Sequence, residues 1–319
     1  MSLLIYLAVP LFLASMWLEY ALLKRRRSDH ADHAHKVSSY ERHDLQTSLG
    51  LGIGNVVVSG LFKGVVLAIG YVLYEHRLFE IGQSVWAWVA LFFVEDFCYY
   101  LYHRSHHEVR CLWAAHVNHH SSQSYHLGTA LRQSFTTPLT GFWFWLPLPL
   151  LGFHPLMVMT QQAISLLYQF WLHTELVGRL GPLEWIFNTP SHHRVHHASN
   201  TRYLDRNHAG ILIIWDRLFG SFVPENQAEP PRYGLTQNLK EQRLMHAAFH
   251  EWQAIWADVR SVRSLRHKLA YIFGPPGYSH DGSRQTARQL RAAAASKPER
   301  TPAPRAAPLT ARRSSAPSR

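Results

Sequence analysis

The sequence predicts an all-α polytopic membrane protein with about four to five membrane-spanning or hairpin helices and a cytoplasmic, histidine-rich helical cap. Long apolar runs lie among its 319 residues, of which 47% are hydrophobic and 13% aromatic, and runs of this length are typical of membrane helices. Histidines at helical spacing follow these runs. The mean hydropathy of −0.15 hides the apolar runs, because a polar tail lowers the average.

The first element is an N-terminal anchor helix. Residues 3–23 are mostly apolar and a basic stretch, residues 24–27, follows them. A removable signal peptide carries its positive charge before the apolar run, so we predict a retained anchor. The positive-inside rule places the following loop in the cytoplasm, and residues 1–44 form the anchor and this basic loop. The loop contains three histidines without ligand spacing, which we interpret as solvated: His30, His33 and His35.

Two further apolar runs, residues 45–74 and 84–102, are predicted to cross the membrane and return the chain to the cytoplasmic side. Glu95 and Asp96 interrupt the second of them, and carboxylates at membrane depth are costly enough to suggest a function. Asp96 precedes His103 by two helical turns, which places both on one helix face. Asp96 therefore either orients a histidine or lies at a helix interface.

The next apolar stretch, residues 141–173, contains the turn signal GFHP and is predicted to be a hairpin of two spans. Its aromatic side chains would form either a substrate wall or an interfacial belt. His173 ends the stretch at the level of the other histidine clusters. We predict that residues 45–225 form a catalytic membrane domain.

The remainder of the chain is predicted to lie outside the membrane. Residues 226–280 have helical periodicity and are expected to form a cytoplasmic or interfacial segment. Residues 281–319 are rich in Ala, Pro, Ser and Arg and supply much of the net charge of +11. Such a composition predicts a disordered basic tail that suits anionic lipid headgroups. No nucleic-acid partner is predicted, because no aromatic residues alternate with the basic ones.

The histidine clusters carry the main functional signal. A single histidine is usually a surface or core residue, but three clusters at ligand spacing are hard to explain by packing, because such close imidazoles repel when protonated. Imidazole ligands favour iron or zinc over calcium or magnesium. The predicted ligands of a dimetal centre in the cap are His103, His107, His116, His119, His120, His193, His196 and His197, with His173 as a ninth. Each HxxHH motif is expected to project from one helix face.

These motifs resemble those of the fatty acid hydroxylase and sterol desaturase superfamily of membrane di-iron enzymes. The segments EDFCYYLYHR, LWAAHVNHHSS, NTPSHHRVHH and IIWDRLFGSF look closest to its alkylglycerol monooxygenase branch, whose members cleave ether lipids with tetrahydrobiopterin. The resemblance covers roughly residues 40–225. The chain departs from the family at His126, where Asn is common, and at His208, where Tyr is common. Whether His106, His126 or His208 also binds metal is left open.

The resemblance implies a di-iron oxidoreductase that uses dioxygen to hydroxylate an alkyl carbon of a lipid, next to the ether oxygen in an alkylglycerol. A sterol, carotenoid or fatty acyl hydroxylase or desaturase is the alternative on the same scaffold. A histidine-rich metal transporter is the alternative from another class, although transporter sites usually lie near mid-membrane and these histidines cluster at one face.

Metal-binding imidazoles need orienting partners at their second nitrogen, and the polar neighbours that we nominate are Asp96, Glu175, Asp205 and Asn207. The sequence shows no haem-binding domain, dinucleotide fingerprint or CxxC pair, so we expect an external reductant. Tetrahydrobiopterin and an acidic electron-carrier protein are the two candidates. We expect an integral membrane protein, in the inner membrane of a bacterium, with its active site on the cytoplasmic face.

Overall fold

The computed structural model describes residues 3–29 and 40–296, and this part of the chain is helical, with β-structure limited to isolated bridges. The predicted all-α class is confirmed. In chain order the α-helices are α1 (Leu3–Asp29), α2 (Arg42–Glu75), α3 (Val85–Glu108), α4 (Arg110–Trp113), α5 (Val117–His120), α6 (Thr137–Gly141), α7 (Pro147–Leu151), α8 (Pro155–Phe170), α9 (Pro190–His196), α10 (Ile214–Leu218), α11 (Leu244–Ser261), α12 (Leu265–Phe273) and α13 (Ala287–Ala295).

Three of these helices, α1, α2 and α3, are long and apolar enough to cross a membrane. Only 17%, 6% and 33% of their most apolar windows are buried within the protein. The remaining apolar side chains face outward, as they do where lipid surrounds a helix bundle. The chain is therefore a membrane protein, and these helices account for three of the four to five spanning or hairpin helices predicted.

The hairpin predicted over residues 141–173 has one regular limb, α8, and one limb broken into short helices. Pro147 and Pro149 lie at the start of α7, where their rings and missing N–H groups prevent a continuous helix with the preceding turn. Gly152 then reverses the chain with a left-handed φ of 115°. An added Cβ there would lie only 2.1 Å from the carbonyl oxygen of Phe79, so the turn requires glycine.

Asp96 holds the segment before α10 against α3. Its carboxylate accepts hydrogen bonds from the backbone N–H of Ile211 at 2.8 Å, from that of Leu212 at 3.0 Å and from Trp215 Nε1 at 2.9 Å. These three donors satisfy a carboxylate that is fully buried. Asp96 thus fixes the segment at the start of α10 through two backbone N–H groups and one side chain.

The C-terminal region differs from the prediction of disorder from residue 281 onward. Residues 281–296 include α13, and Thr286 caps this helix by accepting from Gln289 N while the Gln289 side chain accepts from Thr286 N. Disorder was predicted because the composition of this segment lets it bury little apolar surface. The segment is ordered because its side chains form hydrogen bonds to distant parts of the chain. The rest of the predicted tail, residues 297–319, and the loop histidines His30, His33 and His35 lie outside the described residues.

Candidate metal centre

Nine buried histidines form two adjacent groups, and they are the nine residues that the sequence nominated as ligands. Within each group, one potential ligand nitrogen per residue lies within 4.8 Å of those of all other members. Group one consists of His103, His107, His116, His120 and His196, and group two of His119, His173, His193 and His197. The groups touch, since the His120 and His197 rings stack with centroids 4.4 Å apart.

Each HxxHH motif contributes to both groups, which corrects the expectation that a motif projects from a single helix face. His119 lies in group two, while His116 and His120 lie in group one. The second motif divides in the same way, with His196 separated from its two companions. Successive residues of a helix point about 100° apart, so neighbours at i+3 and i+4 diverge enough to serve two centres that lie side by side.

Burial lowers the pKa of several of these imidazoles. All nine are at most 7% exposed. Burial, assisted by neighbouring histidines, lowers the pKa of His116, His120 and His197 well below the usual range. Burial also lowers the pKa of His173 to about 4. At neutral pH these four rings are therefore unprotonated, which is the form that binds a transition metal.

Backbone carbonyls fix the orientation of several rings. A ring whose Nδ1–H donates to a carbonyl presents the lone pair of Nε2 to the centre of its group, as metal-binding histidines do. The Nδ1 to carbonyl oxygen distances are 2.8 Å for His103 to His208, 2.9 Å for His196 to Arg206, 3.0 Å for His173 to Gln169 and 3.3 Å for His119 to Arg132.

The Nε2 atoms are arranged as a cation site would require. His119 Nε2 and His173 Nε2 lie 3.2 Å apart, and because both rings donate from Nδ1, two lone pairs face each other. Such a pair is repulsive unless a cation lies between the rings. In group one, the Nε2 atoms of His107 and His196 are buried and have no hydrogen-bond partner within the described part of the chain. The donor set therefore fits two borderline metal ions with imidazole ligands.

The four nominated orienting residues occupy different places. Asp205 Oδ1 lies 3.4 Å from His107 Nδ1, so this carboxylate faces a ring of group one. Asp96 binds the backbone near α10, as described above. Asn207 has a left-handed φ of 56° and its amide donates to the carbonyls of His192 and Val223. Glu175 hydrogen-bonds Tyr233.

The three histidines left open by the sequence lie outside both groups. His106 uses both nitrogens, with Nδ1 2.8 Å from Tyr102 O and Nε2 3.1 Å from Thr140 Oγ1. His126 stacks on Tyr40 with ring centroids 3.8 Å apart, and burial lowers its pKa to about 3. The ring of His208 lies beside group one, 5.0 Å from that of His107.

Two buried charged residues support the groups and were not nominated from the sequence. Glu19 of α1 accepts hydrogen bonds from Leu127 N, Tyr40 Oη and Thr174 Oγ1, next to His173. The sequence signal for Glu19 was its position within the first apolar run, because a carboxylate there suggests a function. Arg132 is fully buried and donates to Asn118 O and to Ser121 Oγ, which lie within and directly after the first HxxHH motif. It also forms an ion pair with Asp44.

A cavity of about 1260 Å³ opens onto group one. His107, His120 and His196 of group one, His197 of group two and His208 are among its lining residues. Charged side chains such as Arg104, Glu108 and Asp205 and apolar ones such as Phe219 also line it. The cavity therefore gives the histidine groups an approach of mixed polar and apolar character.

The family model for fatty acid hydroxylase matches residues 88–221, an interval that contains all nine grouped histidines. Residues 88–221 form a fatty acid hydroxylase domain. The paired histidine groups are thus a property of this hydroxylase domain, and α1, α2 and the C-terminal helices surround it.

Curated relatives extend the similarity beyond the hydroxylase domain. The chain is 43% identical to an alkylglycerol monooxygenase of Xenopus tropicalis over 237 residues, which is 74% of this chain and 52% of that protein. It is 39% identical to human alkylglycerol monooxygenase over 276 residues, 85% of this chain and 59% of that protein. It is 28% identical to ornithine lipid hydroxylase OlsE of Rhizobium tropici over 209 residues, 65% of this chain and 63% of that protein. The matched region spans less than two thirds of each relative's length. No solved structure matches the chain.

Proposed function

We propose that the protein is a membrane di-iron monooxygenase that hydroxylates an alkyl carbon of a lipid. The observation that carries the proposal is the pair of facing lone pairs on His119 and His173, within two groups that together contain nine buried imidazoles. The hydroxylase domain and the monooxygenase relatives support iron as the metal.

The nine grouped histidines would hold the two ions. Iron in an imidazole environment supplies the activation of dioxygen that attack on an unactivated C–H bond needs. The protein buries all of these rings, and backbone carbonyls orient His103, His119, His173 and His196. The active site is proposed to lie at the cytoplasmic face, because the basic stretch that follows the first span sets the orientation of the bundle.

We further propose an alkylglycerol ether lipid as the substrate, on the basis of the names of two relatives, the Xenopus tropicalis and human alkylglycerol monooxygenases. One oxygen atom of dioxygen would enter the C–H bond next to the ether oxygen, and two electrons and two protons would reduce the other atom to water. The resulting hemiacetal breaks its C–O bond to give a fatty aldehyde and a free glycerol hydroxyl. The ether oxygen favours attack at this carbon, because its lone pair stabilises the electron-poor carbon that forms.

The reductant is proposed to be external to the chain. Tetrahydrobiopterin is favoured by the resemblance to the alkylglycerol monooxygenases, and an acidic electron-carrier protein is the alternative, since the net charge of +11 would attract it. Either would approach from the side on which the cavity opens.

The test uses the full chain, purified in detergent and loaded with iron. An alkylglycerol, dioxygen and tetrahydrobiopterin should together yield fatty aldehyde, and omission of any one of them should abolish the product. Absence of aldehyde, with hydroxylated sterol, carotenoid or acyl lipid formed when a ferredoxin system is supplied, would contradict the ether-lipid substrate and retain the hydroxylase. Bound metal without dioxygen consumption under any of these conditions would favour a metal transporter.

A further inference from the structure

The segment over residues 274–296 forms one wall of the cavity that opens onto group one. It is tied to the rest of the protein at its first residue and near its middle. The backbone N–H of Arg110 donates to Gly274 O at 2.9 Å, and Arg284 Nη2 donates to Asp258 Oδ2 at 2.8 Å. Arg110 binds the same Asp258 carboxylate at 2.6 Å. Arg284 therefore docks the segment through a charged hydrogen bond, the stronger kind in proteins.

Arg291 of α13 connects this segment to the turn that carries Asp205. Its Nη1 donates to Leu204 O at 2.6 Å and lies 3.7 Å from Asp205 Oδ2. Asp205 has a left-handed φ of 49°. A residue other than glycine rarely adopts this conformation and keeps it only when its surroundings hold it. Arg291 supplies such a hold, through both the backbone and the carboxylate of the turn.

Asp205 in turn faces the metal-binding group, because its Oδ1 lies 3.4 Å from His107 Nδ1. A carboxylate that accepts the Nδ1–H of His107 selects the tautomer whose Nε2 carries the lone pair. This Nε2 is buried and without a hydrogen-bond partner among the described residues. His103 and His196 are oriented by backbone carbonyls, whereas His107 depends on a side chain that is itself free to rotate unless it is held.

We infer that Arg291 is a positioning residue for the metal centre: docked against the 204–205 turn, it holds the Asp205 carboxylate where it orients His107 within group one. This inference rests on the proposed metal site. It gives the C-terminal helix α13 a role in the hydroxylase centre although α13 lies outside the hydroxylase domain. Group two has its own orienting contacts, so the effect of Arg291 is confined to one of the two ions.

The test is a titration of the metal-free full-length protein with Co²⁺, followed by the visible absorption of the bound ion. Asp205→Ala removes the outer partner of His107 and should weaken one of two binding steps by about 10–100-fold. Arg291→Ala should weaken the same step by a measurable factor that does not exceed the effect of Asp205→Ala. Arg291→Lys should restore part of the affinity, because lysine keeps the charge as a single donor. Arg288→Ala, one turn earlier on α13, is the matched control and should titrate like the wild type.

A double-mutant cycle separates positioning from general destabilisation. If Arg291 acts through Asp205, Arg291→Ala in an Asp205→Ala background should weaken cobalt binding no further. Additive effects, or wild-type titration of Arg291→Ala, would overturn the inference. Arg291→Gln, which can still donate to Leu204 O, replaces the alanine variant if that variant does not fold, and it too should weaken one step. A wild-type protein that takes up no cobalt, iron or zinc would instead refute the proposed metal centre itself.

Discussion

His119 Nε2 lies 3.2 Å from His173 Nε2, although 54 residues separate them in the chain. The Nδ1 atom of each ring faces a backbone carbonyl, so neither Nε2 has a hydrogen to offer the other. The fold holds two acceptors at contact distance inside the protein, which is unfavourable without a cation. This relationship gives the metal centre a physical basis that does not depend on similarity to other proteins.

The first prediction follows from this contact. His119→Ala should lower the bound metal from two ions to one or fewer, and should reduce turnover by more than the roughly 10–100-fold that loss of an outer partner causes. Metal content by elemental analysis of the purified protein is the measurement. His106→Asn is the control, because His106 is equally buried but lies outside both groups, and it should retain both ions. Full metal in the His119 variant would remove His119 from the proposed ligands.

The second prediction concerns Asp96, whose carboxylate accepts two hydrogen bonds from the segment before α10 and one from Trp215 of α10. Asp96→Asn places an amide NH₂ opposite a donor, and one unsatisfied buried group costs about 1–3 kcal/mol. We expect a lower melting temperature in detergent, with two ions still bound at low temperature. Unchanged melting with loss of metal would show instead that Asp96 orients a histidine.

The third prediction concerns acid stability. Burial lowers the pKa of His173 to about 4, below the value of about 6.5 in an unfolded chain. Between these values the unfolded state binds more protons than the folded state, so the free energy of unfolding falls as the pH falls. The stability that neutral His173 contributes is fully present above about pH 6.5 and is lost as the pH falls from there through about 4. Melting temperatures of the metal-free protein at pH 7.5, 6.5, 5.5 and 4.5 test this, and a flat profile would contradict it.

The fourth prediction separates two parts of the C-terminal region. Removal of residues 297–319 should leave specific activity within about a few-fold, because their composition cannot bury a core. Removal from residue 281 onward also takes away α13 and part of the cavity wall, and should lower activity and metal affinity together. Equal activity of the two truncated proteins would show that α13 has no part in the reaction.

Much of the centre could be predicted from the sequence, because histidine spacing is a local property. The three clusters and His173 identified all nine members of the two groups. The three long apolar helices were predicted for the same reason, since length and hydropathy are read directly along the chain. The broken limb of the hairpin shows the limit of such reasoning, because Pro147 and Pro149 interrupt an apolar run without changing its hydropathy much.

The sequence by itself determined which side chains are available for the centre, because ligand type and helical spacing are encoded within a few consecutive residues. Only the tertiary structure decided how they divide, placing His119 with His173 and apart from His116. It also decided that Asp96 binds backbone N–H groups and that Arg291 reaches Asp205. These pairings depend on contacts between residues far apart in the chain, whose distances are set by how whole helices pack and not by local composition.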